Sequence, residues 1–99
     1  MINTEKVKES MKSNIESAMT YGESLESIKD SASDFIDGFI PVYTYDVIQE
    51  WQFMPSEYDN KGSAELGTAG ESDIVTLMRL DLYLFYSDLF NEVIEGMGK

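Results

Sequence analysis

Apolar residues near the start of the chain recur at the three- and four-residue spacing of an amphipathic helix. The spacing predicts a first helix over about residues 4–19, which Asn3 or Thr4 caps and Gly22 ends. Lysines and glutamates alternate on its other face, as on a helix that faces solvent. The apolar face consists of Val7, Met11, Ile15, Ala18 and Met19.

The helical spacing then resumes and predicts a second helix over about residues 24–40, capped by Ser24. Pro41 should end this helix, because a proline disfavours helical backbone in the residue before it. Pro41 is also suited to open a third helix, which runs from residue 42 to about Trp51 or Phe53. The apolar face of the second helix consists of Leu25, Ile28, Ala32, Phe35, Ile36 and Phe39.

Residues 54–72 are rich in glycine and serine and predict a long connection. Ser72 caps a last helix, which runs from Asp73 to about Glu95. Apolar side chains cover most of its circumference, which is typical of a helix buried between others. They are Ile74, Leu77, Met78, Leu82, Phe85, Tyr86, Leu89, Val93 and Ile94. The segments predict one all-α domain over residues 1–99, a compact four-helix domain with one long central C-terminal helix.

The composition excludes several classes of protein. Hydrophobic residues make up 42% of the 99 positions, too many for a disordered acidic tail. Without cysteine or histidine, the chain lacks thiol catalysis, thiolate metal sites and the usual base of a serine nucleophile. The N-terminal residues are charged where a signal peptide would be apolar, so no signal peptide is predicted. Asp81 and Asp88 interrupt the longest apolar stretch, which argues against a membrane span. We therefore expect a cytoplasmic protein that is not an enzyme and has no cofactor, metal or membrane contact.

The net charge of −12 is unevenly distributed along the chain. Residues 1–20 carry three acids and three lysines, whereas residues 21–50 carry seven acids and Lys29 as their one base. Self-repulsion of this kind destabilises a compact state, and a small domain needs a net charge of only about 2–8 for solubility. Such a surface repels nucleic acid and anionic lipid, so proteins with basic faces are the expected partners.

The acids of the second and last helices share one spacing. On an ideal helix the acids of the second helix lie within about 80° around the helix axis, and those of the last helix within about 60°. Each set therefore forms a stripe about 21 Å long. A solvated helix face normally mixes lysines among its acids, and like charges one turn apart oppose helix formation. The pattern therefore favours a functional anionic surface, which Asp46 and Glu50 extend. The two stripes consist of Glu23, Glu26, Asp30, Asp34 and Asp37, and of Asp81, Asp88, Glu92 and Glu95.

Two weaker patterns lie in and after the third helix. Tyr45, Ile48 and Trp51 are candidates for self-association, because tryptophan and tyrosine are enriched at protein interfaces. A role in the core and in an interface is favoured over base stacking, which would need a cationic groove. The aromatic residues concerned are Tyr43, Tyr45, Trp51, Phe53 and Tyr58. Oxygen ligands around Gly62 lack the Asp-x-Asp-x-Asp-Gly spacing of a calcium loop, so no metal site is predicted. Those ligands would be Glu57, Asp59, Asn60 and Glu65.

Two runs of residues resemble the phage Ocr antirestriction family. Residues 32–48 join an acidic amphipathic helix to a proline, aromatic residues and an Asp–aliphatic pair, and read Ala-Ser-Asp-Phe-Ile-Asp-Gly-Phe-Ile-Pro-Val-Tyr-Thr-Tyr-Asp-Val-Ile. Residues 73–83, Asp-Ile-Val-Thr-Leu-Met-Arg-Leu-Asp-Leu-Tyr, and residues 88–92 resemble the family's long last helix. The resemblance implies an all-helical homodimer that imitates bent duplex DNA and blocks type I restriction–modification enzymes. The charge-balanced first helix departs from that pattern.

Charge and resemblance together lead to one hypothesis: a DNA mimic that occupies the DNA-binding cleft of a host defence enzyme, foremost a type I restriction–modification enzyme. Its surface would consist of the two stripes with Asp46 and Glu50. The expected partners are DNA-binding proteins with a basic cleft and a second copy of the chain. The alternative is a small acidic adaptor that binds a basic patch of RNA polymerase, a nuclease or another anti-phage system. An enzyme with carboxylate chemistry would need a concave pocket and one acid of raised pKa.

Overall fold

The computed structural model describes residues 2–58 and 74–98, and these residues form helices and turns without a strand. The prediction of an all-α protein is therefore confirmed. The described residues contain five α-helices rather than four, because the second predicted helix is divided. The helices are α1 (Thr4–Thr20), α2 (Leu25–Asp30), α3 (Ala32–Asp37), α4 (Thr44–Phe53) and α5 (Ile74–Met97), and a 3₁₀ turn (Ser56–Tyr58) follows α4.

Helix α1 begins and ends as its sequence predicts. The side chain of Asn3 accepts a hydrogen bond from the backbone N–H of Lys6 at 3.2 Å, so Asn3 rather than Thr4 is the cap. Gly22 follows the helix with a φ of +103°, a left-handed conformation that a residue with a Cβ rarely adopts. Met11 and Ile15 are fully buried on its apolar face.

The chain breaks its helical path at Ser31, where one long helix was expected. Ser24 caps α2 as predicted, and its Oγ accepts from the N–H of Ser27 at 3.1 Å. Ser31, with φ −103° and ψ 23°, ends α2 and precedes α3. Serine has a lower helix propensity than alanine, and the Ser31 side chain makes no capping hydrogen bond to α3. The two short helices still bury Ile28 and Ile36.

Helix α4 begins later than predicted. Its first residue is Thr44, and Pro41 lies outside it. In a helix that opened at Pro41, the carbonyl of that proline would accept a backbone hydrogen bond one turn later. It accepts instead from the guanidinium of Arg79 on α5. The bond thus joins the connection before α4 to α5, and Tyr43, with φ −82° and ψ 137°, precedes the first helical residue.

Helix α5 is the central element on which α1, α3 and α4 pack. Its 24 residues span about 36 Å, which accounts for most of the 43 Å long axis of the molecule. Tilted aromatic rings form the middle of the core: the ring centroids of Phe85 and Tyr86 are 5.2 Å apart, and those of Phe35 and Phe90 are 6.1 Å apart. Ile74, predicted to be apolar contact surface, is 65% exposed and lies outside the core.

Only the beginning of the predicted 54–72 connection falls within the described residues. Met54 is buried, and the ring of Tyr58 packs edge-on against Phe85 with centroids 5.1 Å apart. The remainder of that connection, with the predicted cap Ser72 and the predicted helix start Asp73, lies outside the described residues. None of the helices in residues 2–58 and 74–98 is both long and apolar enough to cross a bilayer.

Candidate acidic interaction surface

The structure divides the eleven predicted surface acids into two groups. Nine have exposed side chains, and two of these nine, Asp88 and Glu92, are held by a hydrogen bond or an ion pair. Among the described residues, no hydrogen bond or ion pair holds the side chain of any of the other seven. We call these seven the outer acids. They are Glu23, Glu26, Asp30, Asp34, Asp37, Asp46 and Glu95.

Six of the outer acids lie in residues 23–46, on or beside three short helices. Glu26 and Asp30 belong to α2, whose buried residue is Ile28, and Asp34 and Asp37 belong to α3. The prediction of one continuous helix under these acids is wrong, because the helix is divided at Ser31. Every acid of the set faces solvent, and the continuous 21 Å stripe stays a prediction.

Little basic charge balances this part of the surface. Between residues 21 and 58 the chain has one basic residue, Lys29, which is exposed and makes no ion pair with a described residue. Arg79 donates a guanidinium hydrogen bond to the carbonyl of Pro41 and is half-buried. The local field is accordingly negative, which attracts cationic partners and raises their association rate.

The other four predicted acids, which we call the inner acids, are Glu50, Asp81, Asp88 and Glu92. Asp81 is 2% exposed and accepts a hydrogen bond from the indole Nε1–H of Trp51 at 2.8 Å. Its assignment to a solvent-facing stripe is wrong, because α4 covers that side of α5. A carboxylate enclosed in this way binds α4 to α5 and is not available to a partner protein.

Glu50 and Asp88 accept hydrogen bonds from buried or half-buried tyrosines. The hydroxyl of Tyr86 donates to Glu50, and the hydroxyl of Tyr58 donates to Asp88 at 2.6 Å. Burial, reinforced by the adjacent carboxylate, raises the pKa of each tyrosine above its ordinary value. Both phenols are therefore protonated donors at neutral pH, and both acids hold the fold together.

Glu92 forms the one close ion pair of the inner acids with a described residue. Its carboxylate lies 2.8 Å from the ammonium nitrogen of Lys8 on α1. The hydrogen bond to Glu92 raises the pKa of Lys8. Lys8 also lies 3.8 Å from Glu5. Of the predicted last-helix stripe, only Glu95 remains exposed and unpaired among the described residues.

The three self-association candidates differ in exposure. Tyr45 is 69% exposed, while Ile48 and Trp51 are half-buried and Trp51 donates to Asp81. Trp51 therefore packs against the core, which is one of the two roles expected for the aromatic residues. Self-association itself stays a prediction.

Two more exposed apolar residues, Val42 and Tyr43, lie just before α4 rather than in the helix predicted from residue 42. Their side chains are 85% and 75% exposed. Next to them, an open groove of about 470 Å³ has apolar and acidic walls. The groove is lined by Ile2, Pro41, Asp46, Gln49, Glu50 and Phe53.

The described residues contain no group of three or more metal-ligating side chains. Of the four oxygen ligands considered for a calcium loop, Glu57 is exposed. The other three, Asp59, Asn60 and Glu65, lie outside the described residues. Comparisons of the chain with models of protein families, with curated proteins and with solved structures found no match.

Proposed function

We propose that this protein is an inhibitor that occupies the basic DNA-binding cleft of a host defence enzyme without chemistry of its own. The observation that carries the proposal is the set of seven outer acids, which are exposed and unpaired among the described residues. Repulsion among these acids destabilises the folded state, and a role in binding explains why such a surface is present. The resemblance to the Ocr family supplies the class of target, a type I restriction–modification enzyme.

The charge density of the chain can be compared with that of duplex DNA. A duplex as long as the 43 Å axis of the molecule carries about 25 phosphate charges. The chain carries a net charge of −12, about half that value. Most of the outer acids lie in residues 23–46, so we propose that this region, rather than α1, enters the cleft.

Inhibition of DNA cleavage by a purified type I enzyme tests the proposal. We expect inhibition at low salt that weakens as salt is added, because the attraction between exposed charges is screened. The triple variant Asp30→Asn, Asp34→Asn, Asp37→Asn removes three outer acids. We expect it to inhibit about tenfold less strongly, since each exposed ion pair contributes about 0.2–1 kcal/mol.

A matched control separates position from total charge. The variant Glu5→Gln, Glu9→Gln, Glu16→Gln removes the same number of charges from the balanced surface of α1 and should inhibit nearly as well as the wild-type chain. Equal loss in both triple variants would mean that only net charge matters. No inhibition at low salt by the wild-type chain would refute the proposed target.

The runner-up function is a small acidic adaptor that binds a basic patch of another host complex, such as RNA polymerase or a nuclease. The exposed Val42, Tyr43 and Tyr45 are compatible with it, because an adaptor binds through a few local contacts. The two functions differ in their response to substitution. A mimic loses affinity gradually as acids are removed, whereas an adaptor loses most of it with one or two contact residues.

A further inference from the structure

A short apolar projection comprises the end of the connection from α3 and the first residues of α4. We define it as residues 42–45, in which the side chains of Val42, Tyr43 and Tyr45 are 85%, 75% and 69% exposed. Single exposed apolar residues are common on protein surfaces. Three within four consecutive positions form a patch, and patches of this kind mark interaction sites.

The structure holds the projection in place from both sides. Ile40 precedes it and Val47 follows it, and both are buried in the core. The guanidinium of Arg79 also donates a hydrogen bond to the carbonyl of Pro41, at the base of the projection. A contact surface that is already positioned loses little conformational entropy on binding, which favours affinity.

Acids border the projection, and their charge indicates the chemistry of its partner. Asp37 lies before it and Asp46 directly after it, and both are exposed outer acids. The chain has no lysine or arginine between Lys29 and Tyr58. A second copy of this chain would bring acids against acids here, which is unfavourable. A partner surface with lysines or arginines around an apolar centre complements both the apolar projection and the acids that border it.

We propose that the apolar projection anchors this protein in an apolar pocket of its partner, and that lysines or arginines rim the pocket and meet the outer acids. The inference rests on the proposed function and specifies the surface that the partner must present. Aromatic anchors near the centre of an interface carry most of the binding free energy, while charges at the rim act mainly on the association rate.

Two short helical peptides with the same number of lysines serve as probes. One peptide has leucines along a face where the other has serines. Isothermal titration calorimetry should show that the wild-type chain binds the leucine peptide about tenfold more tightly than the serine peptide. The variant Val42→Ser, Tyr43→Ser, Tyr45→Ser should bind both peptides equally, with the affinity that the wild-type chain has for the serine peptide.

Tyr21→Ser is the matched control. Tyr21 is 87% exposed at the end of α1 and remote in sequence from the projection. This variant should keep the tenfold preference for leucine. All substituted side chains are exposed, so circular dichroism should show the fold unchanged. Equal binding of both peptides by the wild-type chain, or a preference that survives in the triple variant, would overturn the proposal.

Sedimentation equilibrium tests whether a second copy of this chain, rather than a basic partner, binds the projection. A dimer of the wild-type chain that the triple variant abolishes would assign the projection to a second copy and refute our inference. The type I enzyme assay keeps the two proposals apart. No inhibition with an intact leucine preference would refute the enzyme target alone. Inhibition without a leucine preference would refute the anchor alone.

Discussion

The acids of α2 and α3 and the acids of α5 have the same spacing in the sequence but opposite roles in the structure. In the first region, Asp30, Asp34 and Asp37 face solvent and make no ion pair with a described residue. In the second, Asp81 is enclosed under Trp51, and Glu92 pairs with Lys8. The difference arises because α5 is surrounded by other helices, while α2 and α3 have one side against the core.

The comparison shows that acids on one side of a helix do not by themselves form a surface that is exposed to solvent. Periodicity states which residues share a side of one helix, whereas the number of neighbouring helices determines whether that side meets water. On α5 the acids are used for hydrogen bonds between elements. Of the eleven predicted acids, those of residues 23–46 and Glu95 are exposed and make no side-chain hydrogen bond or ion pair with a described residue.

The largest difference between the regions should appear when one acid of each is removed. Asp81→Ala deletes the acceptor of the Trp51 indole N–H in a buried place and should lower the free energy of unfolding by about 2–3 kcal/mol. Asp30→Ala, on the exposed side of α2, should change it by less than about 0.5 kcal/mol. Urea denaturation measures both values. Similar losses in the two variants would contradict the division into inner and outer acids.

Alkaline pH should weaken the inner region specifically. Burial raises the pKa of Tyr86 and Tyr58 above the ordinary tyrosine value, so folding favours their protonated forms. This contribution to stability is complete below about pH 10 and is lost as the pH rises from there towards the folded-state pKa. We expect the free energy of unfolding to fall above about pH 10.

Tyr86→Phe sharpens that prediction. The variant lacks the hydroxyl that donates to Glu50 and should lose about 1–2 kcal/mol at neutral pH. Above about pH 10 its stability should decline less steeply than that of the wild-type chain. A decline equally steep in the variant would mean that Tyr86 does not contribute to the alkaline loss.

Salt should act mainly on the outer region and with the smallest effect. The Debye length falls from about 30 Å at 0.01 M salt to about 3 Å at 1 M, so added salt screens repulsion among exposed acids. We expect the melting temperature to rise with salt. The variant Asp30→Asn, Asp34→Asn, Asp37→Asn should gain about 0.5–1 kcal/mol at low salt and respond less to added salt. A lower melting temperature of this variant at low salt would contradict repulsion.

Much of the fold could be predicted from the sequence, because its signals act over a few residues. The cap at Asn3, the end of α1 at Gly22 and the cap at Ser24 all follow from local backbone chemistry. The break at Ser31 could not be predicted, since the apolar spacing continues across it. The start of α4 also escaped prediction, because the hydrogen bond from Arg79 to Pro41 joins distant parts of the chain.

The candidate site was predicted in part. The sequence by itself determined the charge, the helical periods and the eleven candidate acids, because amphipathic spacing separates the polar from the apolar side of a helix. Only the tertiary structure decided that Glu50, Asp81, Asp88 and Glu92 serve the fold. Their partners Tyr86, Trp51, Tyr58 and Lys8 lie at least thirty positions away, and only packing brings such residues together.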